Sequence, residues 1–301
     1  MTSCSETLKM TSYQSVPSGA AEGPKDPKPT TLNIQVEKIR LIAYFSFWGM
    51  CAFAVICSNV LVWPYKTCVI DGVDKAGKDC SDLLRIFGFN NICVNWDYQP
   101  AVQLTGMVYP IFEYSLLLYI LLDYFQIQND MLNGIFPAQK AKLMKTMFWI
   151  KVVLVAWFRM IFICKVTDDP IVIGGLSIDG VLAHTMGFWG LQWGLVLIAF
   201  ENVLYLTYRK QGMWSFSNET TIKLAYAYLV GLAASTAFKF IWSASIFASE
   251  TGTPVFPNSV AQVVDRVWMF LAAVLPVFFA LNGMKKDPTM VITIVNSEER
   301  K

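Results

Sequence analysis

Between Ile222 and Phe247 the chain is apolar for long enough to cross a bilayer, yet it carries Lys239 in its interior. About 20 apolar residues at 1.5 Å rise span a hydrocarbon core of roughly 30 Å. A lysine that deep costs about 2.5–3.5 kcal/mol on insertion scales unless another group satisfies it. Stepping by four from Ala227 gives Gly231, Ser235, Lys239 and Ser243, a small or polar face on an otherwise greasy helix. Such a face calls for protein or water beside it rather than lipid.

Five further stretches can supply those neighbours: Ile39–Trp63, Ala101–Gln126, Thr146–Val166, Leu182–Tyr208 and Val263–Gly283. The composition agrees, with 55% hydrophobic and 15% charged residues and a mean hydropathy of +0.45. A net charge of +2 leaves no basic footprint for a nucleic-acid partner. The expected fold is therefore an all-α polytopic membrane protein, a six-transmembrane-helix bundle over residues 37–284 whose first partner is the lipid bilayer itself. Residues 1–36 read as a disordered tail, rich in Ser, Thr, Pro and Gly and without an early apolar core for a signal peptide. Within it Tyr13-Gln14-Ser15-Val16 fits a tyrosine-based sorting pattern. Residues 285–301 form a second short tail.

Orientation follows from the basic residues. Of the 24 Lys and Arg residues, fifteen fall in the tails and connections of one side, six on the other, and three inside spans. The positive-inside rule then places both termini in the cytosol, in the plasma membrane or an endomembrane. The connection 64–100, with Cys68, Cys80 and Cys93, falls on the opposite, oxidising side, where two of the three can pair. The third is left over or pairs with Cys57. The same topology keeps the sequon Asn218-Glu219-Thr220 unglycosylated.

A single histidine, His184, removes paired-histidine haem carriers and clustered zinc hydrolases. There is no HExxH, P-loop or Gly-x-Ser-x-Gly, so neither a catalytic centre nor a cofactor is expected. Gly174–Gly180 reads as a turn between spans. A lysine in a late span also suits a retinal Schiff base, against which stands its place in the fifth of six spans rather than the last of seven. The remaining chemistry is a set of buried charges. Glu113, Arg159 and Lys239 lie at depths from which Glu113 can pair with either cation, and they could line a polar route. Lys151 and Glu201 form a second expected pair, roughly 8–9 Å in from the cytosolic ends of adjacent spans. Asp265 and Arg266 stand at the start of the last span and need not be buried. Gly190 and Gly194 form a GxxxG pattern, suited to close helix packing within the chain or to a homodimer.

The cytosolic termini, the Cys-bearing first loop and the pattern His184-Thr185-Met186-Gly187-Phe188, ending at Arg209-Lys210, resemble the six-span family of damage-regulated autophagy modulators and post-GPI-attachment lipid-remodelling factors. The first loop lacks that family's Pro/Ile/Ser pattern, and the sixth span lacks a mid-helix acidic residue. The resemblance implies a non-enzymatic protein of lipid handling and trafficking, with His184 the one position carried over. The second expectation, from a different class, is a small transporter or channel; a ligand-sensing receptor is a third.

Overall fold

The computed structural model describes residues 30–166, 171–173, 176–209, 217–249, 252–283 and 290–294. The Tyr13 pattern lies outside them, as do Gly174 and Gly175. Strand β1 (Thr30–Ile34) leads into α1 (Val36–Leu61), which ends at the first long connection. That connection holds β2 (Thr67–Ile70), β3 (Val73–Ala76) and α2 (Asp82–Phe87). Then follow α3 (Ala101–Leu132), α4 (Ala141–Trp157), α5 (Met160–Ile163), the strands β4 (Ile171–Ile173) and β5 (Leu176–Ile178), and α6 (Gly180–Arg209). The chain continues with α7 (Asn218–Ala248), α8 (Asn258–Met269), a π-helical turn (Phe270–Val274), α9 (Leu275–Gly283) and β6 (Met290–Ile294). Six helical segments are long and apolar enough to cross a membrane.

These six form a closed ring. Each packs on its neighbour in the chain, α1 on α3, α3 on α4, α4 and α5 on α6, α6 on α7 and α7 on α8, while α9 returns to α1. Short connections favour such sequential adjacency. β1 and β6 pair antiparallel, Thr30 opposite Ile294 and Ile34 opposite Met290, and close the ring at what we term the tail end. This corrects the expectation of a wholly unstructured first 36 residues and of a plain tail from 285. Thr-Thr-Leu-Asn-Ile and Met-Val-Ile-Thr-Ile are rich in β-branched residues that suit a pleated pair.

Large apolar side chains remain exposed along the spans, among them Phe45, Ile56, Met107, Ile111, Val153 and Val230. In water such a belt would be an aggregation surface; in lipid it needs no partner. Inside the ring, aromatic rings follow one another from wall to wall. Phe47 lies 5.2 Å from Phe112, Phe112 6.3 Å from Phe158, Phe158 6.3 Å from Phe188 and Phe188 5.3 Å from Trp268. All five are buried. The series joins α1, α3, the break between α4 and α5, α6 and α8, and fills the centre of the bundle.

The glycine face of α6 serves that packing. A Cβ on Gly190 would stand 2.9 Å from the Leu154 carbonyl oxygen and 3.1 Å from Trp157 Cβ, and one on Gly194 would stand 3.2 Å from Val155 Cγ2. The GxxxG pattern is thus filled by α4 of the same chain, the within-chain packing of the two expectations. Small residues let the two backbones approach.

The first connection folds as a lid on the opposite, loop end. β2 and β3 form a hairpin with Cys68 opposite Lys75, and Cys68 is joined to Cys80. Ser81 caps α2, accepting from Leu84 N at 3.4 Å, and Gly88 ends it at a φ of 73°. A side chain at Gly88 would collide with Asn258 of α8, so a left-handed turn and a close approach both call for glycine. Tyr98 accepts from Asp82 N at 2.6 Å and donates to Asp82 Oδ2 at 2.8 Å.

Candidate functional site

Lys239 and Asp265 occupy the facing walls of α7 and α8. Lys239 lies nine residues before the end of α7, about 14 Å by helical rise, and Asp265 seven residues after the start of α8. Similar depth on two helices of one hairpin brings them together, and they form an ion pair with side chains 12% and 18% exposed. The expected partnership of Lys239 with Glu113 is therefore corrected. The cause is the start of α8: polar residues Asn258, Ser259 and Gln262 mask a helix that begins five residues before Val263. Asp265 is two turns inside it rather than at its edge.

The ammonium also rests against aromatic faces, 4.4 Å from the Trp268 centroid and 5.0 Å from Phe188. Along α7 the small-polar face does turn inward at Ser235 and Ser243, whereas Ala227 is exposed. Ser243 Oγ donates to the Lys239 carbonyl oxygen at 2.8 Å and accepts from Trp189 Nε1 at 2.9 Å.

Glu113 pairs instead with Arg159, 2.6 Å from Nη2 to Oε2, where the break between α4 and α5 turns the guanidinium toward α3. The carboxylate is buried and the guanidinium 49% exposed. The three charges read as one network are thus two separate pairs. Lys151 and Glu201 pair across α4 and α6, both side chains 1% exposed. They lie deeper than the roughly 8–9 Å expected from the hydropathy boundaries. α4 starts at Ala141, ten residues or about 15 Å before Lys151, and Glu201 is eight residues, about 12 Å, from Arg209.

A cleft that encloses about 50 Å³ and opens outward lies between the lid, α6, α7 and α8. Phe87 and Phe89 of the lid, Phe188, Trp189 and Trp242 form most of its apolar wall, and Lys239 and Asp265 lie on it. Phe87 and Phe89 each stand 5.5 Å from the Trp242 ring, so the lid is packed onto α7. Its character is that of a small-molecule site, mostly apolar with a few convergent polar groups, and its enclosed space takes a polar head rather than a whole lipid. Gln192 and Cys93 line it as well.

His184 clasps the lid to the bundle. Its Nδ1 is 2.9 Å from the Cys164 carbonyl oxygen, and Nε2 is 3.1 Å from Asp97 Oδ1, though poorly aligned for a hydrogen bond. Burial pushes the Asp97 carboxyl up, and His184 beside it pulls it back down. Cys93 is a free, buried thiol on the cleft wall, held well above its ordinary pKa by burial, with Asp97 adding to the effect. Both nitrogens of His184 face other groups, so Cys93 has no base there and is inert as a nucleophile. Among the described residues no cluster of His, Cys, Asp and Glu is fit to hold a metal. Sequence reasoning missed Asp97, Asp265, Gln192 and Trp242. Only Asp265 left a signal, the match of its depth to Lys239 across one hairpin. No family model, curated protein or solved structure matches the chain.

Proposed function

We propose that this chain is a non-enzymatic multi-pass membrane protein that organises lipids, seating one lipid or similar amphiphile in the cleft beneath its lid. The buried aromatic series from Phe47 to Trp268 carries this reading, because it fills the centre of the ring where a solute route would run. Glu113 and Arg159 satisfy one another, and Lys239 and Asp265 do the same. Neither pair leaves a free ion to draw a solute inward. The cleft, by contrast, is mostly apolar and open at its mouth, so a polar head can enter while a hydrocarbon tail stays outside. The resemblance to lipid-remodelling and autophagy-linked six-span proteins points the same way, and the proposal places the protein in the plasma membrane or an endomembrane with cytosolic termini.

Reconstitution into liposomes tests the reading. Vesicles holding the protein should pass ions and small solutes no faster than protein-free vesicles, while photoreactive lipids label the lid and α7 saturably. Flux that disappears on altering Lys239 would favour the transporter instead.

A further inference from the structure

Resting on that reading, we infer that the cleft selects an uncharged amphiphile whose polar head is a hydroxyl, a long-chain alcohol above all, the head in the enclosed space and the hydrocarbon leaving through the open mouth. The inference starts from what the wall leaves unsatisfied. Gln192 is buried at 1% exposure, lines the cleft, and its Oε1 has no hydrogen-bond partner. Trp242, also on the wall, has a buried Nε1–H without an acceptor. An ammonium has three donors, and Lys239 gives one to Asp265 Oδ1. The cleft's lining residues therefore hold a buried, unpaired acceptor at Gln192 and donor at Trp242, which an entering head reaches once the side chains closing over them give way, and Lys239 adds further donors.

Buried polar groups left unpaired cost free energy, which a ligand recovers by pairing them. The group that meets both needs is one that donates and accepts from the same atom. A hydroxyl does so: its O–H donates to Gln192 Oε1 while its oxygen accepts from Trp242 or Lys239.

Charge decides against the alternatives. Lys239 and Asp265 neutralise one another, so the site carries no net charge from that pair. A carboxylate or phosphate drawn to Lys239 would sit beside the Asp265 carboxylate. A protonated amine drawn to Asp265 would sit beside the Lys239 ammonium. Either would bury an uncompensated charge among Phe87, Phe89, Phe188 and Trp242. A neutral head avoids both penalties, and its hydrocarbon finds the aromatic wall.

The test varies the head and holds the tail constant. The full chain, purified in detergent, is exposed to three diazirine-bearing tetradecyl probes ending in a hydroxyl, a carboxylate and a primary amine, at pH 7.5. Labelling is mapped by mass spectrometry to Phe87–Cys93 and to α7, and each probe is competed by its own unlabelled form. The alcohol should label these segments with an affinity at least tenfold above the acid and the amine. In Lys239→Met/Asp265→Leu, which keeps the site neutral, labelling should persist. In Gln192→Leu the preference for the alcohol should fall severalfold. Equal or stronger labelling by the acid or amine overturns the hydroxyl head while leaving an amphiphile seat intact. Absence of saturable labelling by all three overturns the seat as well. Because the comparison of heads is made on the unaltered protein, it stands even if a variant fails to fold.

Discussion

Two lysine–carboxylate pairs inside the same ring have opposite surroundings. Lys151 and Glu201 are closed off, each 1% exposed, and bind α4 to α6 in the half of the bundle nearer the tail end. Lys239 and Asp265 are more open, at 12% and 18%, and stand on the wall of a cleft beside unsatisfied Gln192 and Trp242 groups. A buried charge inside a membrane protein is therefore not by itself a site. The first pair joins two helices and is closed off from solvent. The second has space, spare hydrogen-bonding capacity and a lid.

The largest expected effect falls on the closed pair. Lys151→Met strands the Glu201 carboxylate and should destabilise the purified protein by about 3–5 kcal/mol, whereas Lys151→Met/Glu201→Leu should recover most of that loss. Thermal unfolding of the three variants in one detergent checks it. A harmless single substitution would erase the contrast.

Next comes the lid. Cys68 and Cys80 close a loop with a sequence separation of 12, which the chain-entropy view values at about 3 kcal/mol for the lid's own order. Cys68→Ser should quicken hydrogen exchange in residues 64–100 and leave the exchange of α3 and α4 unchanged. Mass mapping of the unreduced protein should find the Cys68–Cys80 bridge and free thiols at Cys57 and Cys93.

The open pair should be more forgiving. Lys239→Met leaves Asp265 without its cation, but Asp265 borders the cleft and can be reached by water. The expected loss is about 1–3 kcal/mol, less than for Lys151→Met in the same assay. The smallest change belongs to a surface pair in the lid, Arg85 with Asp82, where the arginine is 67% exposed. Arg85→Ala should cost about 0–1 kcal/mol and so anchors the scale at which exposure makes an ion pair unimportant.

Much of the framework was legible in the sequence. Six spans follow from apolar length, a physical demand of the bilayer that hydropathy reads directly. Lys151 with Glu201, and Glu113 with Arg159, were reachable because depth and helix adjacency are one-dimensional quantities. The true partner of Lys239 is not legible, because hydropathy starts the last span only at Val263 and leaves Asp265 at its edge. A hydropathy boundary cannot register the polar first turns of α8, which are helical after Pro257. The lid was hidden for another reason. Its aromatic residues Phe87, Phe89 and Trp96 carry no period, and only the fold shows which of them meet Trp242 on α7. The β1–β6 pairing joins segments about 260 positions apart, as the register of Thr30 with Ile294 shows. Their β-branched residues suit strands, but nothing local in either segment says that the two pair with one another.

The most direct measurement is an experimental structure of the full chain in lipid nanodiscs. Elongated density should occupy the cleft between Phe87, Phe89 and Trp242, with its polar end against Gln192 and the Lys239–Asp265 pair, and the aromatic series from Phe47 to Trp268 should remain closed. A cleft filled by its own side chains, or a continuous water path through the centre of the ring, would contradict the account.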